Sequence, residues 1–135
     1  MFEILSFRTT QSHELVRLED QVRDVVRRSG VDEGICHVYC PHTTAGLTIN
    51  SAMDPGTLQD ILSEYRRLVP TRVDFHHTFD TPTDAAGHIK STLMGVQVSC
   101  PIHGGRLMLG GSQSILFAEF DGPRDRQVYV KVVQG

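Results

Sequence analysis

The chain has 135 residues, 39% hydrophobic and 21% charged, with a formal net charge of −3. That is one domain, residues 1–135, long enough to bury a core without covalent staples, and it lacks the basic surplus of a nucleic-acid surface. No run approaches the roughly 18 apolar residues of a membrane span. Met1-Phe2-Glu3-Ile4 also lacks the basic and apolar regions of a signal peptide, so a cytoplasmic protein is expected.

In chain order, Phe2 to Arg8 and Glu14 to Glu19 read as two strands paired with each other across the polar Thr9-Thr10-Gln11-Ser12. A short helix over Gln21 to Arg28 follows, with Leu18, Val22, Val25 and Val26 on one face and Gly30 ending it. Ile35 to Cys40 and Ala45 to Asn50 are strands broken at Pro41. Cys36, Cys40 and Cys100 form no zinc-ribbon or Cys-x-x-Cys pattern, and the first two are expected to be buried reduced thiols. Asp54-Pro55 is a strong helix start, with Asp as cap and Pro in the first turn. The helix carries Leu58, Ile61, Leu62, Tyr65 and Leu68 as an apolar stripe and ends near Pro70.

His76 to Thr83 is polar and irregular. A further helix begins at Thr83 or Asp84 and runs to Met94, with Gly95 as its C-terminal cap. Val96 to Ile102, Arg106 to Leu109 and Ser114 to Phe120 are strands, separated by turns at His103-Gly104-Gly105 and Gly110-Gly111. After a loop over Asp121 to Arg126, Val128, Val130 and Val132 alternate in a last strand. Grouped strands with helices between them predict an α+β domain.

Seven histidines stand against three tyrosines and no tryptophan, and their placement suggests chemistry. Imidazole is the commonest metal ligand and titrates near neutrality. His42 follows Pro41 at a strand end, where it either faces a ligand or caps the turn through Thr43 or Thr44. Asp84 and His88 are four residues apart on one helix face. The carboxylate there orients the imidazole or shares an ion with it, or else Asp84 caps the helix and His88 meets solvent. His77 precedes His88 by too many residues for a short zinc motif, so a shared site has to be assembled by the fold. Glu119 interrupts the apolar Ile115-Leu116-Phe117-Ala118 run and must meet water or a cation. His103 is expected in a solvated turn, and His37 in local packing. His13 has no context.

The segments His42-Thr43-Thr44-Ala45-Gly46-Leu47-Thr48-Ile49-Asn50, Asp54-Pro55, His88-Ile89-Lys90-Ser91, Gly105-Arg106-Leu107-Met108-Leu109-Gly110 and Glu119-Phe120-Asp121-Gly122-Pro123-Arg124 carry a resemblance. In order and spacing they are similar to motifs of the YjbQ-like family, also called the secondary thiamine-phosphate synthase family. The resemblance runs from about residue 35 to the C-terminus. It implies a single compact α+β domain of β-sandwich-like sheets with inserted helices, in a cytoplasmic homotrimer. It also implies a His-rich metal or ligand site and a weak thiamine phosphate synthase activity. The positions it places around that site are His42, Asn50, His77, Asp84, His88 and Glu119. Two departures stand out: Ser51 sits where the family usually has Glu, and Gly111-Ser112 where it usually has Thr-Trp.

Three functions follow. The first is a transferase joining a pyrimidine pyrophosphate to a thiazole phosphate. A divalent ion such as Mg²⁺ would balance the leaving group, with Thr43, Asn50, Arg106 and Arg124 around the anionic substrate. Mg²⁺ prefers oxygen ligands, however, and this site is rich in imidazole. The second is a metal-dependent hydrolase in which His42, His77 and His88 hold Zn²⁺ and His42, Asp84 or Glu119 handles protons. The third is a trimer that binds a phosphate, another small anion or a metal without catalysis.

Overall fold

The computed structural model describes all 135 residues as eight strands and three helices. The strands are β1 (Phe2–Arg8), β2 (Glu14–Arg17), β3 (Gly34–Tyr39), β4 (Ala45–Asn50), β5 (Gln97–His103), β6 (Arg106–Leu107), β7 (Ser114–Glu119) and β8 (Asp125–Gln134). The helices are α1 (Glu19–Ser29), α2 (Pro55–Leu68) and α3 (Pro82–Met94). Two antiparallel sheets form, one of five strands in the order β1-β8-β3-β5-β6 and one of three in the order β2-β7-β4. The domain is α+β, as the pattern of elements predicts.

The expected pairing of the first two strands does not occur. β1 pairs with β8, and β2 pairs with β7 in the other sheet. Alternating hydrophobicity sets which face of a strand is buried, but it does not choose the neighbour. The Thr9-Thr10-Gln11-Ser12 stretch crosses between sheets instead of reversing, and Thr9 is tied to the Arg124 carbonyl by its backbone N–H at 2.9 Å.

The core lies between the sheets and under α1. Val128, Val130 and Val132 of β8 and Cys36 and Val38 of β3 meet Leu47 of β4 and Ile115 and Phe117 of β7. Leu18, Val22, Val25 and Val26 close one side. Each such side chain removed from water contributes about 1.5–3 kcal/mol of favourable transfer free energy. Glu19 begins α1 instead of extending β2. Its carboxylate is buried and held by the Arg17 Nε–H at 2.8 Å. All three cysteines are free and buried, as expected for the first two, and burial pushes the Cys36 thiol up to about 12.

Strand bounds shift at several ends. β6 covers only Arg106 and Leu107, and β8 begins at Asp125, inside the expected loop. α2 starts as predicted: Asp54 accepts a bond from the Gly56 N–H at 2.8 Å. Its stripe, however, is only half-buried, and Leu68 is exposed.

α3 positions the site. Its cap is Thr81, whose Oγ1 accepts from the Asp84 N–H at 3.2 Å, and Pro82 opens the helix. Asp84 therefore sits in the first turn, favourable for an anion, and leaves its side chain free for other work. The helix packs on β4. The Ser91 hydroxyl donates to the Ala45 carbonyl at 2.6 Å, and the Leu47 N–H donates to the Gly95 carbonyl at 3.0 Å. Gly46 makes that approach feasible, since a Cβ there would lie 2.6 Å from the Gly95 carbonyl oxygen. No helix is long and apolar enough to cross a membrane.

Candidate metal centre and its surroundings

Three of the expected residues converge. His77, from the loop before α3, and Asp84 and His88, one turn apart on α3, bring their ligand atoms within 4.8 Å of one another. His77 Nε2 is 2.9 Å and His88 Nε2 is 3.2 Å from the same oxygen, Asp84 Oδ2. The two imidazole rings meet edge-on with centroids 5.1 Å apart.

The His88 ring is oriented from behind. Its Nδ1 is 3.1 Å from the Thr43 carbonyl oxygen, which can only accept, so the proton resides on Nδ1. In the neutral ring, Nε2 is then a bare lone pair aimed at a carboxylate oxygen, another acceptor. Such an acceptor pair is reconciled by a second proton on the ring or by a cation between the two atoms. Ligands bonded at about 2.0–2.1 Å to a tetrahedral ion lie roughly 3.3 Å from each other, close to the observed separations from Asp84. Two imidazoles and one carboxylate with open positions suit Zn²⁺ and similar transition ions better than Mg²⁺. The donors fit such an ion.

Asp84 is buried and stabilised as an anion. Burial alone would raise its pKa, but the contacts with His77 and Asp121, and with His88 when that ring carries its second proton, more than offset this and hold it below the usual carboxylate range. The Asp121 carboxyl lies against Asp84 and is raised, first by burial and then by Asp84 itself. Arg124 Nη2 anchors Asp121 at 2.7 Å. Sequence reasoning missed Asp121, although its spacing of two from Glu119 at a strand end was the available clue.

The remaining expected residues are elsewhere. His42 stays outside the trio. Its Nε2 accepts the Gln127 N–H at 2.9 Å, and burial, then Arg126, lowers its pKa, so it is a neutral ring with its proton on Nδ1. Glu119 is wholly buried and faces a cation of the protein itself. Arg126 Nε donates to it at 2.9 Å, Nη2 closes a second bond, and Thr9 Oγ1 donates at 2.7 Å. With its oxygens so engaged, and its pKa lowered by Arg126 against the upward push of burial, it is a structural anion and no proton acceptor for a substrate. Asn50 accepts from the Ser51 N–H at 2.7 Å on the exposed end of β4. Arg106 lines a separate hollow with Arg23 and Val26, beside α1. Thr43 contributes its carbonyl to His88. His103 is exposed beside Glu33, and His37 has a local partner in Gln97.

Two open hollows adjoin His88. One, of about 420 Å³, is lined by Phe75, His76, His77, Ala85 and Ile89 besides His88. The other, of about 450 Å³, runs past His42, Thr43, Ser91, Thr92 and Gly95. Ala86 and Gly87 do not clear a path for a ligand, contrary to what their small size suggests. Both are buried, and a Cβ on Gly87 would come within 3.3 Å of the Phe120 carbonyl oxygen and the Thr44 side chain.

Comparison with known proteins is consistent across sequence and structure. The profile of the family described as "UPF0047 protein YjbQ-like" matches residues 3–135. A UPF0047 protein of Archaeoglobus fulgidus is 42% identical, with 96% of this chain and 98% of that protein covered. YugU, a UPF0047 protein of Bacillus subtilis, is 35% identical over 98% of this chain and 99% of its own length. The crystal structure of a conserved YjbQ/UPF0047 protein from Clostridium acetobutylicum superposes with a TM-score of 0.92 at 40% identity, covering 97% of this chain and 99% of that one.

Proposed function

This chain belongs to the YjbQ-like UPF0047 family, and we propose that it is a divalent-metal protein whose centre is His77, Asp84 and His88 and whose chemistry is hydrolysis of a small substrate. The observation that carries this reading is the bare Nε2 of His88, fixed by the Thr43 carbonyl and facing the Asp84 oxygen at 3.2 Å. An ion of the zinc type held there supplies a Lewis acid at neutral pH.

The chain's own residues do the rest. Asp84 and the two imidazoles would hold the ion through three donors. Asp121, fixed by Arg124, keeps Asp84 in place, as partners of metal-binding carboxylates do. In hydrolysis the water oxygen bonds to the electrophilic atom, the bond to the leaving group breaks, and the leaving group takes up a proton. His42 faces the second hollow as a neutral ring carrying one N–H. Transfer of a pyrimidine to a thiazole phosphate is less well supported: the donors are imidazoles, and neither hollow is lined by lysine or arginine. We propose a homotrimer as the working assembly, following the family resemblance.

The test is metal analysis and calorimetry on protein prepared without a histidine tag. One equivalent of Zn²⁺ is expected to bind the wild type, and His77→Ala is expected to lose it. Chelator-sensitive hydrolysis of an ester or amide panel then separates a catalyst from a metal-binding protein, and a coupled thiamine phosphate assay examines the transferase directly. Absence of stoichiometric zinc binding overturns the reading.

A further inference from the structure

The two hollows that meet at His88 differ in chemistry, and the difference restricts what the centre accepts; this step rests on the metal reading above. The first hollow is walled by Phe75, Ala85 and Ile89, with imidazoles on the side of the centre. Phe75 is backed by the Arg72 guanidinium, 4.9 Å from the ring centroid, which fixes an aromatic wall. Such a surface suits a flat apolar group.

The second hollow is polar and offers both acceptors and donors. Thr92 Oγ1 donates its proton to the His88 carbonyl at 2.9 Å, and Ser91 Oγ donates to the Ala45 carbonyl at 2.6 Å. A hydroxyl that has spent its only proton offers lone pairs alone. His42, with Nε2 occupied by the Gln127 N–H, brings an Nδ1–H as a donor. The trough therefore presents acceptors at Ser91 and Thr92, a donor in the neutral ring of His42 and, at Thr43, a hydroxyl with no internal partner that can do either. An amide, urea or hydroxyl head, which has both N–H or O–H groups and an oxygen, matches this set. A phosphate, with acceptors only, would leave the Ser91 and Thr92 lone pairs unmatched.

Charge points the same way. Neither lining includes a lysine or arginine. The guanidiniums near them are already paired, Arg72 with Asp74 at 3.0 Å, Arg124 with Asp121 at 2.7 Å and Arg126, beside His42, with Glu119. The amino end of α3 carries Asp84. Phosphate recognition ordinarily relies on free Arg or Lys or on unspent helix N–H groups.

We propose that the substrate is an uncharged amphipathic small molecule. Its flat apolar group lies against Phe75 and Ile89, its amide- or hydroxyl-type head lies along Ser91 and Thr92, and the bond to be cleaved is held at the His77–Asp84–His88 centre. Benzamide and phenyl phosphate, which share a ring and differ in the head, are the probes. Each is titrated into ¹⁵N-labelled, zinc-loaded protein and followed by amide shifts. Benzamide is expected to shift Ile89 and Thr92 together, and phenyl phosphate to bind about tenfold more weakly or worse, a gap of one decade in Kd. Ile89→Glu, at an exposed position, is expected to weaken benzamide several-fold while zinc stoichiometry by calorimetry is unchanged. Equal or tighter binding of phenyl phosphate, or benzamide shifts absent from both hollows, overturns the proposal. Calorimetry with Zn²⁺ alone keeps the two readings apart. If zinc binds and phenyl phosphate wins, the substrate class falls and the metal centre stands. If zinc fails but benzamide shifts both hollows of the metal-free protein, the metal centre falls and the class stands.

Discussion

Replacing His88 by alanine is expected to remove zinc binding while leaving stability almost unchanged. The ring is about 40% exposed in its side chain and makes one hydrogen bond to the Thr43 carbonyl. Losing such a bond costs about 0.5–1.5 kcal/mol, and alanine returns up to roughly 0.7 kcal/mol of helix propensity. Calorimetry with Zn²⁺ and a urea melt of the metal-free variant check both halves, and retained zinc binding would remove His88 from the centre. His13 behaves in the opposite way. It is buried with its Nε2 2.8 Å from Lys90 Nζ and its Nδ1 3.0 Å from Ser12 Oγ. Burial first, then Lys90 and Arg66, lowers it from 6.5 to about 4. Because the folded pKa is depressed, the unfolded chain binds more protons between these values. The stability associated with neutral His13 is then full above pH 6.5 and is lost as pH falls toward about 4. Between pH 7 and pH 5 the wild type is expected to lose up to about 2 kcal/mol from this group, and His13→Gln to lose clearly less by urea denaturation. Identical losses in the two proteins would assign the pH dependence to other groups.

At the level of elements, the seam between α3 and β4 decides whether the centre is assembled at all. It depends on backbone approaching backbone, at Gly46 against the Gly95 carbonyl, more than on side-chain volume. Gly46→Ala is expected to destabilise by about 1–3 kcal/mol, as overpacking against an unyielding neighbour does, and also to weaken zinc binding by displacing the helix that carries Asp84 and His88. Urea melts and zinc calorimetry on the same sample test this. A stable variant with unchanged affinity would show that the seam relaxes freely. α1 and α2 make an instructive contrast. α1 buries Val22, Val25 and Val26, whereas α2 buries no residue completely, though both are strongly amphipathic in sequence. Amphipathicity identifies the inward face but not how deeply the helix docks.

Across the whole molecule, the outer face of the five-stranded sheet is more apolar than a solvated sheet face usually is. Phe2, Ile4, Ile35, Tyr39 and Val133 are each exposed by 44% or more, and Phe2 and Tyr39 flank Tyr129 on neighbouring strands with ring centroids 5.5 and 6.2 Å away. Contiguous patches of this kind mark interaction surfaces. Sedimentation velocity at micromolar concentration is expected to give about three times the 15.0 kDa chain mass. A stable monomer under those conditions would sink the trimer.

Much of the architecture was legible in the residues because it is local. The 3.6-residue stripe of α1, the Asp54-Pro55 start of α2, Gly30 and Gly95 behind helices and the alternation of β8 all act within a few residues of chain, where sterics and amphipathic pattern decide the outcome. The four-residue spacing of Asp84 and His88 belongs to the same class: once the helix forms, the two must share a face. Only the tertiary structure chose β8 and β7 as partners for β1 and β2, since any strand of matching pattern offers the same ladder. The same is true of long-range side-chain pairs. His77 joined the centre through the path of a loop, Glu119 met Arg126 across a turn, and Lys90 reached His13 from 77 residues away. Sequence required that a buried carboxylate at Glu119 meet water or a cation, because an unpaired one is too costly. Which cation it met was set by topology, because proximity between distant residues is a property of the assembled sheets and is encoded in no single segment.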